Sequence, residues 1–298
     1  MRPLIVRTVL ATTDLEDSSV TALRVAHELG AAAGAPLHVL HVPEQPGAAG
    51  GAARDPAVVG RIRDLLRQAK ANIEEVRLHI IPGTPADTIR SFSEQIGANV
   101  IVLGAHRGRA SVTSASRLGN TALAVVTQSS VPCLVVSDKT LPLPLGKILV
   151  PVDGSDTARG ALMVGLSWGS ALRARTSVSG EETATSLTGL YVDAPSGQAA
   201  PAWDARALER EIESVRQRAG GWAGVKMMSA VISSDDPARA IIDYENEHRF
   251  DLVVLGTQGQ GGSGAGKLGS VSSAVSQSLE APVLLVSPSV WKAHAESL

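Results

Sequence analysis

The chain has 298 residues, too many for a typical single domain and comfortable for two. Hydrophobic residues make up 44% and aromatic ones only 3%, so the cores must be built from Val, Leu, Ile and Ala, as in parallel sheets covered by helices on both faces. A formal charge of −2, with no local run of Lys and Arg among aromatics, excludes nucleic acid as the expected partner.

At the N-terminus, Arg7 interrupts the opening apolar stretch too early for a signal peptide. No later run approaches the roughly 18 apolar residues of a membrane span, so a cytoplasmic protein with no membrane partner is expected. A strand over 7–13 ends at Thr12-Thr13-Asp14 and leads to a helix near 17–33. A strand over 37–42, closing in Leu40-His41-Val42, precedes a polar Gly/Ala-rich loop over 44–55 and a helix near 56–73. Strand 76–81, a helix near 85–96 with Pro85 at its opening, strand 99–103, a helix near 120–128 and strand 132–136 complete the series. Cys133, the only cysteine, lies in the last of these strands, where an inert buried thiol is expected and no disulfide is available. No metal site is expected: His27, His41 and His106 are scattered, and none belongs to a ligand spacing.

The same order of elements returns between 147 and 287. Val9-Leu10-Ala11-Thr12-Thr13-Asp14 matches Ile148-Leu149-Val150-Pro151-Val152-Asp153, and Val100-Ile101-Val102-Leu103-Gly104 matches Leu252-Val253-Val254-Leu255-Gly256. Val131-Pro132-Cys133-Leu134-Val135-Val136-Ser137 likewise matches Ala281-Pro282-Val283-Leu284-Leu285-Val286-Ser287. Similar offsets in one order mean a duplicated domain rather than a short-period solenoid. The boundaries read as 1–139 and 146–298, joined by a short Pro-rich connector over 138–146. The interval from Asp153 to Val192 is longer than that from Asp14 to Val42, and a polar insertion at 176–183 accounts for it. Strands alternating with helices predict parallel βα units in both copies.

The most informative stretch is Gly256-Thr257-Gln258-Gly259, followed by Gly269-Ser270. It runs from an apolar strand into the helical pattern opening at Val271-Ser272. Strand, glycine loop and helix start together build a phosphate cradle, because glycines admit close approach and the amides of a helix start face an anion. Ser270 is expected at the N-cap. The loop also holds two decoys. Gly259 through Gly264 spells GxGxxG, but late in the chain and short of its helix. Gly261 to Lys267 approaches a P-loop, yet Leu268 stands where the magnesium-binding hydroxyl is needed.

Gly256, Gly259, Gly269 and Ser270 meet, at every position, the G-x2-G-x9-G-[S/T] signature of the universal stress protein family, which the chain resembles in its tandem form. Pro151-Val152-Asp153-Gly154-Ser155 is similar to the family's first strand and turn, and Leu40-His41-Val42 and Leu190-Tyr191-Val192 to its second-strand ending. The resemblance covers about 7–137 and 147–287 and implies two doubly wound, five-stranded, Rossmann-like α/β domains forming a pseudo-dimer through the strands Cys133–Val136 and Val283–Val286. It further implies an adenine nucleotide, ATP with or without Mg2+, at the carboxyl ends of the strands. In the second copy Asp153 would accept a hydrogen bond from the adenine amino group or ribose, the alternative being a turn and helix cap. Pro151 borders the same strand end, and Val152 and Val192 would cover the ring. Gly256, Gly259, Gly269, Ser270 and Val271 would hold phosphates by their amides, with Ser270 and Ser272 adding hydroxyls.

The first copy departs from the signature, since Arg107 falls where the second glycine belongs and Asn120-Thr121 replace the serine. A weaker first site is expected at Thr12, Thr13, Asp14, Val42, Gly104, Gly108, Gly119, Asn120 and Thr121, with Arg107, Arg109 and Arg117 as cations nearby. The leading functional reading is an ATP-binding stress-response protein acting as a nucleotide-dependent sensor or partner-binder. A weak nucleotide hydrolase and a nucleotide-free dimerisation module are the alternatives, and a homodimer is compatible with each.

Overall fold

Strands and helices alternate throughout the residues that the computed structural model describes, namely 6–43, 55–105, 118–137, 139–173, 184–195, 204–218, 224–259 and 267–290. The first half holds β1 (Val9–Thr13), α1 (Ser19–Ala33), β2 (Leu37–His41), α2 (Pro56–Gln68), β3 (Val76–Ile80), α3 (Pro85–Gln95), β4 (Val100–Gly104), α4 (Asn120–Gln128) and β5 (Cys133–Val136). The second holds β6 (Lys147–Pro151), α5 (Asp156–Ala171), β7 (Thr185–Asp193), α6 (Ala205–Arg218), β8 (Val225–Ser233), α7 (Pro237–His248), β9 (Leu252–Gly256), α8 (Ser270–Ser278) and β10 (Val283–Val286). The insertion expected at 176–183 lies outside the described residues.

Local chemistry explains where helices begin and end. Asp55 caps α2 by accepting from Ala57 N at 2.9 Å, and Pro56 supplies a first helical residue that needs no donor. Asp236 and Pro237 repeat this device at α7, where the cap accepts from Arg239 N at 3.0 Å. The helix expected over 56–73 is shorter in the structure: Lys70 turns left-handed at φ 58°, and a separate 3-10 turn, Ile73–Glu75, opens on Asn72. The apolar period continued through the break, so pattern alone did not reveal it.

The strands form one ten-stranded sheet in the order β3-β2-β1-β4-β5-β10-β9-β6-β7-β8. Pairing is parallel within each half, and β5 and β10 meet antiparallel, with Leu134 opposite Leu284. The sequence expectation that the last strands join the two copies is what the sheet shows. Two serines at equivalent places brace this seam. Ser137 Oγ donates to Glu280 O at 2.9 Å, and Ser287 Oγ donates to Ser129 O at 2.5 Å.

Helices α1, α2, α5 and α6 bury one face of the sheet, through residues such as Leu23, Leu65, Trp168 and Ile212. Helices α3, α4, α7 and α8 bury the other, through Phe92, Val125, Ile241 and Val275. Strands β2, β5 and β10 are buried at every residue, as a sheet covered on both faces requires. Among the described residues no helix is long and apolar enough to cross a membrane.

Candidate functional site

In each half the described residues that follow the first and fourth strands come together at the carboxyl ends of the sheet, where open parallel sheets bind ligands. In the second half, β6 ends at Pro151, and Val152 donates its amide to Leu190 O at 2.8 Å. Asp153 then opens a tight turn. Its Oδ1 accepts from Ser155 N at 2.9 Å, and Gly154 adopts φ 80°, which a residue with a side chain resists. Ser155 Oγ accepts from Ala158 N at 3.2 Å and caps α5. Asp153 therefore holds the turn while Ser155 caps the helix.

The glycine loop packs onto this turn. A Cβ on Gly256 would lie 2.8 Å from Thr157 Oγ1 and 2.9 Å from the Thr157 carbonyl carbon, so only glycine fits against α5. Thr157 Oγ1 donates to Gln258 O, fastening the loop to the helix start. A Cβ on Gly259 would lie 2.6 Å from Asp153 Oδ2. Two of the signature glycines are thus close-approach residues. Gly269 is different, because a Cβ there would meet Thr257 O at an ordinary 3.4 Å.

Three expectations need correction. Gly269, not Ser270, is the N-cap of α8; its amide donates to Thr257 O at 2.8 Å, and Ser270 is the first helical residue, exposed. Ser272 is 7% exposed and donates its hydroxyl to Gly256 O at 2.6 Å, so that proton ties helix to strand. Val152 and Val192 pack on opposite faces of the sheet, the first with the α5/α6 core and the second, like the half-buried Val271, with the α7/α8 core. Only Val192 and Val271 share the face on which α8 begins.

Thr257, between the first two signature glycines, was passed over in the sequence. It is 1% exposed, and its Oγ1 has no hydrogen-bond partner among the described residues. A buried polar atom left unpaired costs about 1–3 kcal/mol, and such atoms call for an account. A hydroxyl residue between two cradle glycines was the signal that could have found it.

The first half presents a cavity of about 520 Å³, within the range of small-molecule sites. It is lined by Thr12, Thr13, Asp14, Val42, Gly104, Gly119, Asn120 and Thr121, eight residues picked out in the sequence for a first site. Gly108, together with His106, Arg107, Arg109 and Arg117, lies outside the described residues. The sequence did not point to Leu40, Pro85, Ile89 and Leu103, which make the apolar wall, or to Ser18 and Ser19 beside the turn. Ile89 was legible as the inward residue of α3, one helical turn before Phe92.

The turn itself parallels that of the second half. Asp14 Oδ1 accepts from Glu16 N at 3.1 Å and from Ser19 Oγ at 2.7 Å, and Leu15 occupies the left-handed place of Gly154 at φ 71°. His41 Nδ1 donates to Thr13 O at 2.9 Å, fixing the ends of β1 and β2. An apolar wall, hydroxyls and the amides opening α4 are what a heterocycle carrying an anionic group requires. Among the described residues no group of three or more His, Cys, Asp or Glu side chains is placed to hold a metal ion.

Comparison with known proteins places these features. The model of the universal stress protein family matches residues 6–137 and again 144–287. A universal stress protein of Mycobacterium tuberculosis is 27% identical over 217 residues, covering 70% of this chain and 68% of its own. A universal stress protein from Archaeoglobus fulgidus has a likeness of fold, with TM-score 0.65 at 20% identity over 96% of this chain and 97% of its own. Another solved universal stress protein, in complex with cAMP, matches 44% of this chain and 97% of its own at 21% identity and TM-score 0.35, so an adenine nucleotide is a ligand of that member. With the family pattern present twice in order, this chain belongs to the universal stress protein family in its tandem form.

Proposed function

We propose that this chain is an ATP-binding member of the family, acting in the cytoplasm as a nucleotide-dependent sensor or partner-binder built from domains 1–139 and 146–298. The carrying observation is the second-half cradle, in which Gly256 approaches the α5 backbone too closely for a Cβ, Gly259 approaches the Asp153 carboxylate, and Thr257 Oγ1 is left without a partner among the described residues. The residues fit the group: a turn carboxylate at Asp153, an apolar side at Val192, and the amides of Gly269, Ser270 and Val271 at the start of α8. The nucleotide would supply charge and shape for recognition, and the Asp153 turn and α8 would orient it. Pro151 and Val152 contribute backbone at the strand end. The first-half cavity takes the same ligand more weakly, since the position three residues after Gly104, where the second signature glycine belongs, is Arg107.

Acid extraction of the purified full chain, with chromatographic identification of the released nucleotide, tests the reading together with calorimetric titration of ATP. Co-purified or titrated adenine nucleotide, lost in Gly259→Arg, is the expected result. Absence of nucleotide in both experiments would leave the dimerisation module. Steady phosphate release that disappears in the same variant would favour the hydrolase.

A further inference from the structure

His38 in β2 and His79 in β3 lie on the face of the sheet covered by α3, well away from the turn at Asp14. Their rings stack at 5.1 Å between centroids with planes 5° apart, and His38 Nδ1 lies 3.1 Å from His79 Nε2. Phe92 of α3 closes over both, at 6.3 Å and 4.6 Å. Two nitrogens at that distance share one proton: one ring donates and the other must accept, so the contact exists only while the accepting ring is neutral. His38 is 6% exposed, which makes a second positive charge there costly.

Among the described residues the surroundings offer that charge no relief. Arg77, on the same face of β3, acts on both rings with the wrong sign. β1 has no ionisable residue, and neither does α4 behind α3. His41 of β2 lies on the alternate face, held by Thr13 O. On α3, Asp87 and Glu94 are exposed, and Arg90 reaches Asp87 at 3.4 Å. Burial, chiefly, holds both imidazoles below their ordinary value of 6.5, with Arg77 adding to it.

We propose that the His38–His79 pair is a proton-operated latch, fastening α3 and the β3 edge at neutral pH and releasing them on mild acidification. The elements it fastens also build the first-half cavity. Helix α3 gives Phe92 to the pair and Pro85 and Ile89 to the cavity, and β2 gives His38 to the pair and Leu40 to the cavity. Acid release therefore loosens one wall of that cavity, whatever ligand it takes. The second half has no counterpart, because Thr188 and Ala230 occupy the places of His38 and His79 in the sheet register.

The sign follows from linkage. With folded values depressed, the unfolded chain binds more protons below about pH 6.5, so stability is in place above that pH and falls beneath it. Hydrogen exchange on the full chain at pH 7.5 and 5.0, expressed as protection factors, tests the latch. Protection of β3 and α3 should fall severalfold, while β8 and α7 hold. The double variant His38→Asn, His79→Gln should lose this step. An equal fall in β8 and α7, or an undiminished step in the double variant, overturns the proposal. A nuclear magnetic resonance titration of the unsubstituted chain tests it without any variant: both imidazoles should titrate below 6.5, and ordinary or raised midpoints overturn it.

Discussion

The two halves solve one geometric problem with different residues. After its first strand each chain segment turns through an aspartate whose Oδ1 takes the amide two residues on, Asp14 to Glu16 N and Asp153 to Ser155 N. The residue between them is left-handed in both, but it is Gly154 in the second half and Leu15 in the first. A non-glycine residue there carries a cost of about 1–2 kcal/mol. Arg61 of α2 meets that strain, donating Nε to Leu15 O at 2.9 Å and Nη2 to Asp17 Oδ1 at 2.8 Å. The strand-four glycines diverge further. A Cβ on Gly104 would find Ser18 O at 3.6 Å, an ordinary contact, whereas one on Gly256 would collide with Thr157. The first half keeps the turn and opens a cavity beside it. The second binds its glycine loop tightly to the helix start. Duplication has preserved topology and turn chemistry while the contacts at the glycine that ends the fourth strand have drifted.

The seam is where the halves should behave alike, and it carries the largest expected effect. Leu134 and Leu284 face each other across β5 and β10 and are both fully buried. Leu134→Ala and Leu284→Ala should each cost about 2–5 kcal/mol in denaturant unfolding, with values close to each other. A large inequality would show that one half folds without help from the seam. Next comes ligand. ATP at a hundred times its dissociation constant should stabilise the binding half by about 2.7 kcal/mol, a rise in melting temperature of about 5–10 °C if that half unfolds alone. Asp153→Ala should blunt this rise, and the corresponding Asp14→Ala should blunt it less. Equal rises with ATP, GTP and inorganic triphosphate would mean that only phosphates are read, and the adenine role of Asp153 and Val192 would fall.

The glycine contrast gives a smaller effect with a sharper answer. Gly256→Ala should cost about 1–3 kcal/mol, as overpacking does, because the obstruction includes Thr157 backbone, which cannot swing away. Gly104→Ala should be close to neutral, since its neighbours lie at van der Waals distance. Equal midpoint shifts in urea would refute the idea that the two strand-ending glycines are packed differently.

Much of this architecture is legible in the amino-acid sequence alone. The repeat is written in matched strand endings, and the parallel order follows from apolar runs alternating with helical periods, because burial on both faces leaves that trace. The last-strand seam follows from the family pattern. What stays hidden depends on three-dimensional register. Val152 and Val192 each end a strand, but facing is set by pleat parity, and they emerge on opposite sides. Ser270 resembles a cap because serine favours that position, yet the loop path puts Gly269 there. Thr257 stands out in the sequence as a hydroxyl between two cradle glycines, but that its hydroxyl is unpartnered, like the cross-strand contact of His38 and His79, is defined by neighbours distant in sequence.

The last and smallest effect uses Cys133 as a probe of the seam. It sits in register with Leu285 of β10, at the place that Val283 holds in the other half, and burial pushes its thiol from 9.0 up to about 12. Well below pH 9 the thiol is neutral folded or unfolded and contributes nothing to pH dependence. Above it the unfolded chain releases a proton that the folded one retains, so stability declines as pH rises, by about 1.4 kcal/mol per pH unit at most. Cys133→Val, which makes β5 resemble β10 at this place, should remove that slope, and the difference between the two unfolding curves isolates it from tyrosine and lysine titrations. At pH 8 the buried thiol is protonated in the folded state, so a disulfide reagent should report opening of the seam rather than native reactivity. Modification as fast as in the denatured chain would mean that β5 and β10 separate freely, and the single continuous sheet would then not describe the protein in solution.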